Sequence, residues 1–191
     1  MGHKEDLLAG AKKCLLERGY AHTTARDIVA ASGTNLASIG YHFGSKDTLM
    51  AEAMMQLMGE WGDQFSPPEL RNVEMPSLER FRGTWARLTE QFVTDRQLLV
   101  ASFEIFSQLD RIPQLRTMMA AAYEQLRQDF AFDFLSLAQD VDMRTLRSVS
   151  SLMLALLTGL STQYLVDPEH APTVDDLVHA FRVVGKALAE A

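Results

Sequence analysis

The chain has 191 residues, 47% of them hydrophobic and 23% charged, with 18 Lys+Arg against 25 Asp+Glu and a formal net charge of −7. This is the composition of a globular protein and excludes a disordered one; the single cysteine, Cys14, excludes an intrachain disulfide and a thiolate metal cluster and fits a reducing compartment. The apolar run Leu152–Leu157 falls well short of the ~18 residues of a membrane span. The opening Met-Gly-His-Lys-Glu-Asp lacks both the apolar stretch of a signal peptide and the Ser or Thr of a myristoylation signal, so a soluble, untargeted, cytoplasmic protein is expected.

Taken whole, the acidic balance argues against nucleic acid, because phosphate binding rests on Lys and Arg. The average conceals a division. Residues 1–50 carry six basic groups and five acidic ones, a net of +1, so the other 141 residues carry −8; nine of ten Phe and both Trp also lie beyond residue 50. A small near-neutral head and a larger, oily, acidic body are expected, with domains at 1–47 and 48–191.

Periodicity predicts an all-α chain of about nine helices: 4–18, 25–32, 36–42, 46–63, 77–94, 96–110, 113–138, 143–165 and 173–189. In the first, Leu8, Ala11 and Leu15 share a face that ends at Arg18-Gly19. Residues 23–47 then read as two short helices joined by a tight turn. Thr24 can cap the first, with Asp27 three residues on; Gly33 stops it, and Asn35 caps the second. So short a turn forces a steep crossing, which is helix-turn-helix geometry. Ile28 and Ile39 can lock the pair inward, while Leu36, Ala37, Ser38, Gly40, Tyr41 and His42 offer small or hydrogen-bonding groups outward, a face able to lie against base edges.

Further stripes run through Leu78, Phe81, Trp85, Leu88 and Phe92; through Leu99, Phe103 and Phe106; and through Leu115, Met119, Ala122, Leu126 and Phe130. The last two follow Leu146, Val149, Met153, Leu156, Leu160 and then Leu177, Phe181, Val184, Leu188. Breaks come at Pro67-Pro68, Pro76, Pro113, Pro168 and Pro172.

The run Thr-Thr-x-Arg-Asp-Ile, a glycine turn, then Leu-Ala-Ser-Ile-Gly-Tyr-His-Phe-Gly-Ser-Lys-Asp-Thr-Leu resembles the DNA-binding segment of the tetracycline-repressor-like (TetR) transcriptional regulators. The resemblance implies three N-terminal helices for DNA, a fourth linking helix, and a helical body that binds a small effector and dimerises through its last two helices. On the matching positions it places Arg26, Ser38, Tyr41, His42 and Lys46 at a near-palindromic double-stranded DNA operator, with Lys46 on a phosphate; Thr24, Asn35, Leu36 and Ala37, at the caps and on the outward face, are expected to meet the DNA beside them. It further implies an effector site, which Trp85, Phe103, Phe106, Met119, Tyr123 and Phe130 either border or underlie as plain core, with Gln163 a polar anchor or solvent-facing; and a homodimer interface of Met153, Leu156, Leu160, Leu177, Phe181, Val184 and Leu188, which could instead close the monomer core. Two positions depart from the pattern: Gly40 where a tyrosine is usual, and Val29 where a small residue is.

The expected protein is therefore a repressor released from its operator by a small apolar or amphipathic molecule, with no cofactor, metal or catalytic site. Two alternatives stand beside it: an all-helical ligand-binding or catalytic protein without DNA function, and a DNA-binding regulator controlled by a protein partner. The five histidines show no metal-ligand spacing, Asp140 and Asp142 look like solvated loop carboxylates, and Cys14 reads as a small buried hydrophobe. Gly40-x-x-x-Gly44-Ser45-Lys46 is not a nucleotide loop, since it is one residue short, has Ser before Lys and follows no strand.

Overall fold

The computed structural model describes the backbone of residues 2–65, 75–134 and 141–190, and the side chains of 2–64, 75–130 and 141–190. These residues form nine α-helices and no strand: α1 His3–Arg18, α2 Ala25–Ser32, α3 Leu36–Phe43, α4 Lys46–Phe65, α5 Ser77–Thr94, α6 Arg96–Glu104, α7 Pro113–Phe134, α8 Met143–Val166 and α9 Val174–Ala189. A 3-10 turn, Ile105–Gln108, follows α6. The chain divides into two compact units, Met1–Gln64 with Asp95–Leu126, and Phe65–Thr94 with Arg127–Ala191.

Helix ends follow the capping chemistry of the sequence. At α2 the Thr24 hydroxyl accepts from the Asp27 amide (3.2 Å) while Asp27 Oδ2 accepts from the Thr24 amide (2.9 Å) and hydroxyl (2.7 Å). Thr173 and Asp176 repeat this box at α9. Asn35 Oδ1 caps α3 by accepting from the Ser38 amide at 3.1 Å, and Gly33, at φ 67°, supplies the left-handed residue that ends α2. Asp142 is the N-cap of α8, accepting from the amides of Arg144 and Thr145; Asp140, Pro67-Pro68 and the expected end of α7 at 135–138 lie outside the described residues.

The expected helix 96–110 is corrected. It is α-helical only to Glu104 and tightens into the 3-10 turn beyond. The inward stripe is Leu98, Ala101 and Ile105, spaced three and four residues apart, so Phe103 is half-buried and Phe106 is exposed. The stripe of α5 is also shorter than expected, because Leu78 in its first turn is exposed.

In the first unit α1 packs against α2, α3 and α6. Leu7, Ala11, Leu15 and Ile28 are fully buried at its centre, as are Leu49, Met50, Ala53 and Met54 of α4, and Cys14 is buried beside them. Burial raises the Cys14 thiol above its ordinary pKa, which keeps it a protonated hydrophobe. Gly10 marks the closest approach. A Cβ there would sit 2.8 Å from Ser32 Cβ, 2.9 Å from the Ile28 carbonyl oxygen and 3.0 Å from the Ser32 amide nitrogen.

In the second unit α5 packs against α8 and α9. Trp85, Leu88 and Phe92 are buried, the Phe92 ring lies 5.5 Å from Tyr164, and Phe81 meets Phe181 edge-on at 5.6 Å. The Tyr164 hydroxyl donates to the Pro172 carbonyl (3.1 Å) and Arg82 pairs with Asp175, which fixes the loop into α9. Contrary to the run-length reading, α8 is long and apolar enough to cross a membrane by length and composition, since Ser, Thr and Gly interrupt its apolar run without adding charge. One such helix is weak evidence of a span, and its Met153, Leu154, Leu157 and Leu160 are buried within the unit.

Gly10→Ala is expected to lower the unfolding free energy measured by chemical denaturation. Overpacking against neighbouring backbone costs about 1–3 kcal/mol, more than the ~1 kcal/mol that Ala gains over Gly in helix propensity. The capping carboxylates predict a pH dependence. Asp27, Asp142 and Asp176 are each held below the usual 3.8, first by a threonine hydroxyl and then by backbone amides. A folded pKa below the unfolded one stabilises the fold at pH values above both and loses that effect as pH falls through the folded value. The melting temperature should decline below about pH 4, and Asp176→Asn should start lower at neutral pH and decline less steeply.

Candidate nucleic-acid interface

The outward face of the head is built by the inward one. Ile28 and Ile39 are buried where α2 and α3 cross, together with Phe43, so the other side of α3 is turned to solvent. Leu36 (52% exposed), Ala37, Gly40 and Tyr41 (85% exposed) form it, with Asn35 at its start. An 85% exposed tyrosine on an eight-residue helix contributes nothing to the core, whereas its ring and hydroxyl are free to meet an external surface. His42 is half-buried, edge-on to Tyr41 at 4.8 Å.

Two expected residues sit differently from their neighbours. Ser38 is buried, and its hydroxyl donates to Asn35 Oδ1 (3.2 Å) and lies 3.3 Å from His3 Nδ1, so its oxygen is occupied within the head. Lys46, at the start of α4, donates to the Thr23 carbonyl at 3.1 Å, stands 3.5 Å from Asp47 Oδ1 and lies 5.9 Å above the Tyr20 ring. It thereby ties the start of α4 to the α1–α2 loop. Arg26 and Thr24 are exposed, and Arg26 forms no ion pair among the described residues.

Sequence reading missed Tyr20 in the α1–α2 loop, Glu104 at the end of α6 and Gly10 in α1. Tyr20 is buried, and burial and then the Asp47 charge push its pKa up to about 12; its hydroxyl finds no hydrogen-bond partner among the described residues. Glu104 Oε2 accepts from the Tyr20 amide at 2.7 Å and, at a long 3.4 Å, from the Ala21 amide. Gly10 alone carried a signal, a glycine inside a helix pattern; a contact 84 residues apart, such as Glu104 with Tyr20, leaves none.

The expected effector residues fall into both units. Phe103, Phe106, Met119 and Tyr123 belong to the first, with the Phe103 and Phe106 rings 6.2 Å apart; Trp85 and Phe130, both buried, and the exposed Gln163 belong to the second. Of the expected dimer residues, Met153, Leu160 and Leu177 are buried within the single chain, Leu156 and Phe181 are half-buried, and Val184 and Leu188 are exposed. Leu152, Val166 and Val183 on the same two helices are exposed as well.

Comparison with known proteins agrees with this geometry. Residues 7–53 match the family model described as bacterial regulatory proteins, tetR family, and residues 76–184 match the tetracyclin repressor-like C-terminal domain. The chain is 26% identical over 167 residues to the HTH-type transcriptional repressor AcnR of Corynebacterium efficiens, covering 85% of this chain and 86% of that one. It is 23% identical over 188 residues to the HTH-type nicotine-responsive transcriptional repressor HdnoR of Paenarthrobacter nicotinovorans, covering 93% of each. Among solved structures, a putative transcriptional regulator from Pseudomonas aeruginosa PAO1 has the same fold, with a TM-score of 0.75 over 97% of this chain and 89% of that one at 21% identity. Since the C-terminal model alone spans more than half of its length, the chain belongs to the tetR family of bacterial regulatory proteins and is a DNA-binding transcriptional regulator.

Proposed function

We propose that the protein is a homodimeric repressor that lays the exposed face of α3 into the major groove of a near-palindromic operator and leaves it when a small apolar or amphipathic effector enters the body. The observation that carries this reading is the unpartnered α3 face, with Tyr41 at 85% exposure on a helix whose other side is locked. In this reading Tyr41, Leu36 and Ala37 meet base edges, Thr24, Asn35, His42 and the exposed Arg26 meet phosphates or bases, and Lys46 reaches a phosphate from the start of α4. Ser38 acts from inside, holding Asn35. The functional boundary falls at 47/48.

One recognition helix reads too little DNA for tight site-specific binding, which favours a twofold assembly. Val184 and Leu188 lie one turn apart on α9 and are exposed together with Leu152 and Val183, which supports α8 and α9 as the paired surface. Relatives named as repressors support the sign of regulation, and one named as nicotine-responsive supports a small-molecule effector. An effector acts only if it prefers one arrangement of the head over the other.

Two outcomes test the reading. On a duplex selected by the protein from a random-sequence pool, Tyr41→Ala should lose about tenfold or more in affinity and blur sequence preference. Arg26→Ala should weaken all sequences alike and reduce the salt slope by about one. Unchanged binding in both variants, or no selected sequence, rejects the proposal. For the assembly, Val184→Glu with Leu188→Glu should convert a sedimenting dimer to a monomer without loss of helix content; a dimer that persists rejects the α8–α9 surface.

A further inference from the structure

Glu104 stands where its own helix disfavours it. The last residue of α6 lies at the negative end of that helix's dipole, and its carboxylate is directed at the loop that leaves the negative end of α1. Arg18, the basic residue in the last turn of α1, is paired instead with Asp27, at 3.1 Å. What compensates the carboxylate is the α1–α2 loop itself, through the amides of Tyr20 (2.7 Å) and Ala21 (3.4 Å). Space for it is reserved. Gly19 has φ 79°, and a Cβ there would lie 3.0 and 3.1 Å from the two carboxylate oxygens.

The loop so held is the junction of the head. The Tyr20 ring is buried beneath the Lys46 ammonium, and Lys46 in turn donates to Thr23, the residue before the cap of α2. On its other side Glu104 borders the 3-10 turn, between Phe103 and Phe106. A change in the winding of 104–108 therefore moves a carboxylate that touches the head directly, without passing through α4.

We infer that Glu104 is a positioning residue that couples the Phe103–Phe106 segment to the DNA-binding head through the amides of Tyr20 and Ala21. This rests on the DNA-binding reading above and names the route of its regulation. An effector that rewinds 104–108 draws the carboxylate off the loop, and by reciprocity DNA bound at the head steadies 103–109.

Reciprocity allows a test with no effector. Hydrogen exchange is measured on the full chain, free and saturated with a duplex that the wild type selects from a random pool, at salt low enough that wild type and Glu104→Gln are both fully bound. In the wild type, DNA should slow exchange at 36–43 and, about fivefold or more, at 103–109, the lower end of ordinary coupling between sites. Glu104→Gln, which keeps the shape and loses the charge, should retain the slowing at 36–43 and lose that at 103–109. A merely structural glutamate would lower the melting temperature and leave the remote slowing intact, which overturns the inference. If Glu104→Gln fails to melt cooperatively, the wild type decides alone: remote slowing supports the coupling and its absence overturns it. No slowing at 36–43 in the wild type rejects the DNA-binding reading instead.

Discussion

The head depends on how closely α1 can lie across α2. At Gly10 the two helices approach until no Cβ fits between them. Leu7, Ala11 and Leu15 of α1 and Ile28 of α2 are wholly excluded from water in the packing that this approach allows. Helices of eight residues, as α2 and α3 are, are marginal alone, because nucleation fixes several residues for one hydrogen bond. Burial of each large aliphatic side chain contributes about 1.5–3 kcal/mol, enough for a few of them to offset that deficit. Once α2 is held, the left-handed Gly33 and the Asn35 cap set the direction of α3, and Ile39 sets its rotation. The exposure of Tyr41 follows from this chain of constraints.

Electrostatics shape the same surface. Residues beyond 50 carry −8 against +1 for the first 50, and even the head's cations are largely engaged. Lys12 pairs with Glu60, Lys13 with Glu17, Arg18 with Asp27, and Lys46 with the Thr23 carbonyl. Lys4 lies 5.7 Å over the Phe43 ring. Of the six basic residues of the head, Arg26 is the exposed one without such a contact among the described residues. A protein with this distribution gains little from phosphates in general, so under the proposal its selectivity rests on the exposed side of α3.

The local features of this fold were legible in the sequence because they are local. Caps act over three residues, so Thr24 with Asp27 and Asn35 before Leu36 announce α2 and α3, and the stripe from Phe81 to Phe92 announces α5. Extrapolation failed where one helix offers two apolar stripes: Leu99, Phe103 and Phe106 share helical spacing, but so do Leu98, Ala101 and Ile105, and the second is the buried one. It also misplaced one side chain, Ser38, which was expected on the outward face and is buried. Ser38 shares its helix with the exposed residues, yet Asn35 and His3 draw its hydroxyl inward. Contacts such as Glu104 with Tyr20 depend on tertiary placement, for which neither periodicity nor capping carries a signal.

The central claim is that two copies of the α3 face read one side of a duplex together. Hydroxyl-radical footprinting of the full chain on its selected duplex tests it most directly. The account predicts two protected patches on the same face of the DNA, centred about 34–36 Å apart or a multiple of that. A single patch, uniform protection along the duplex or none at all would contradict it.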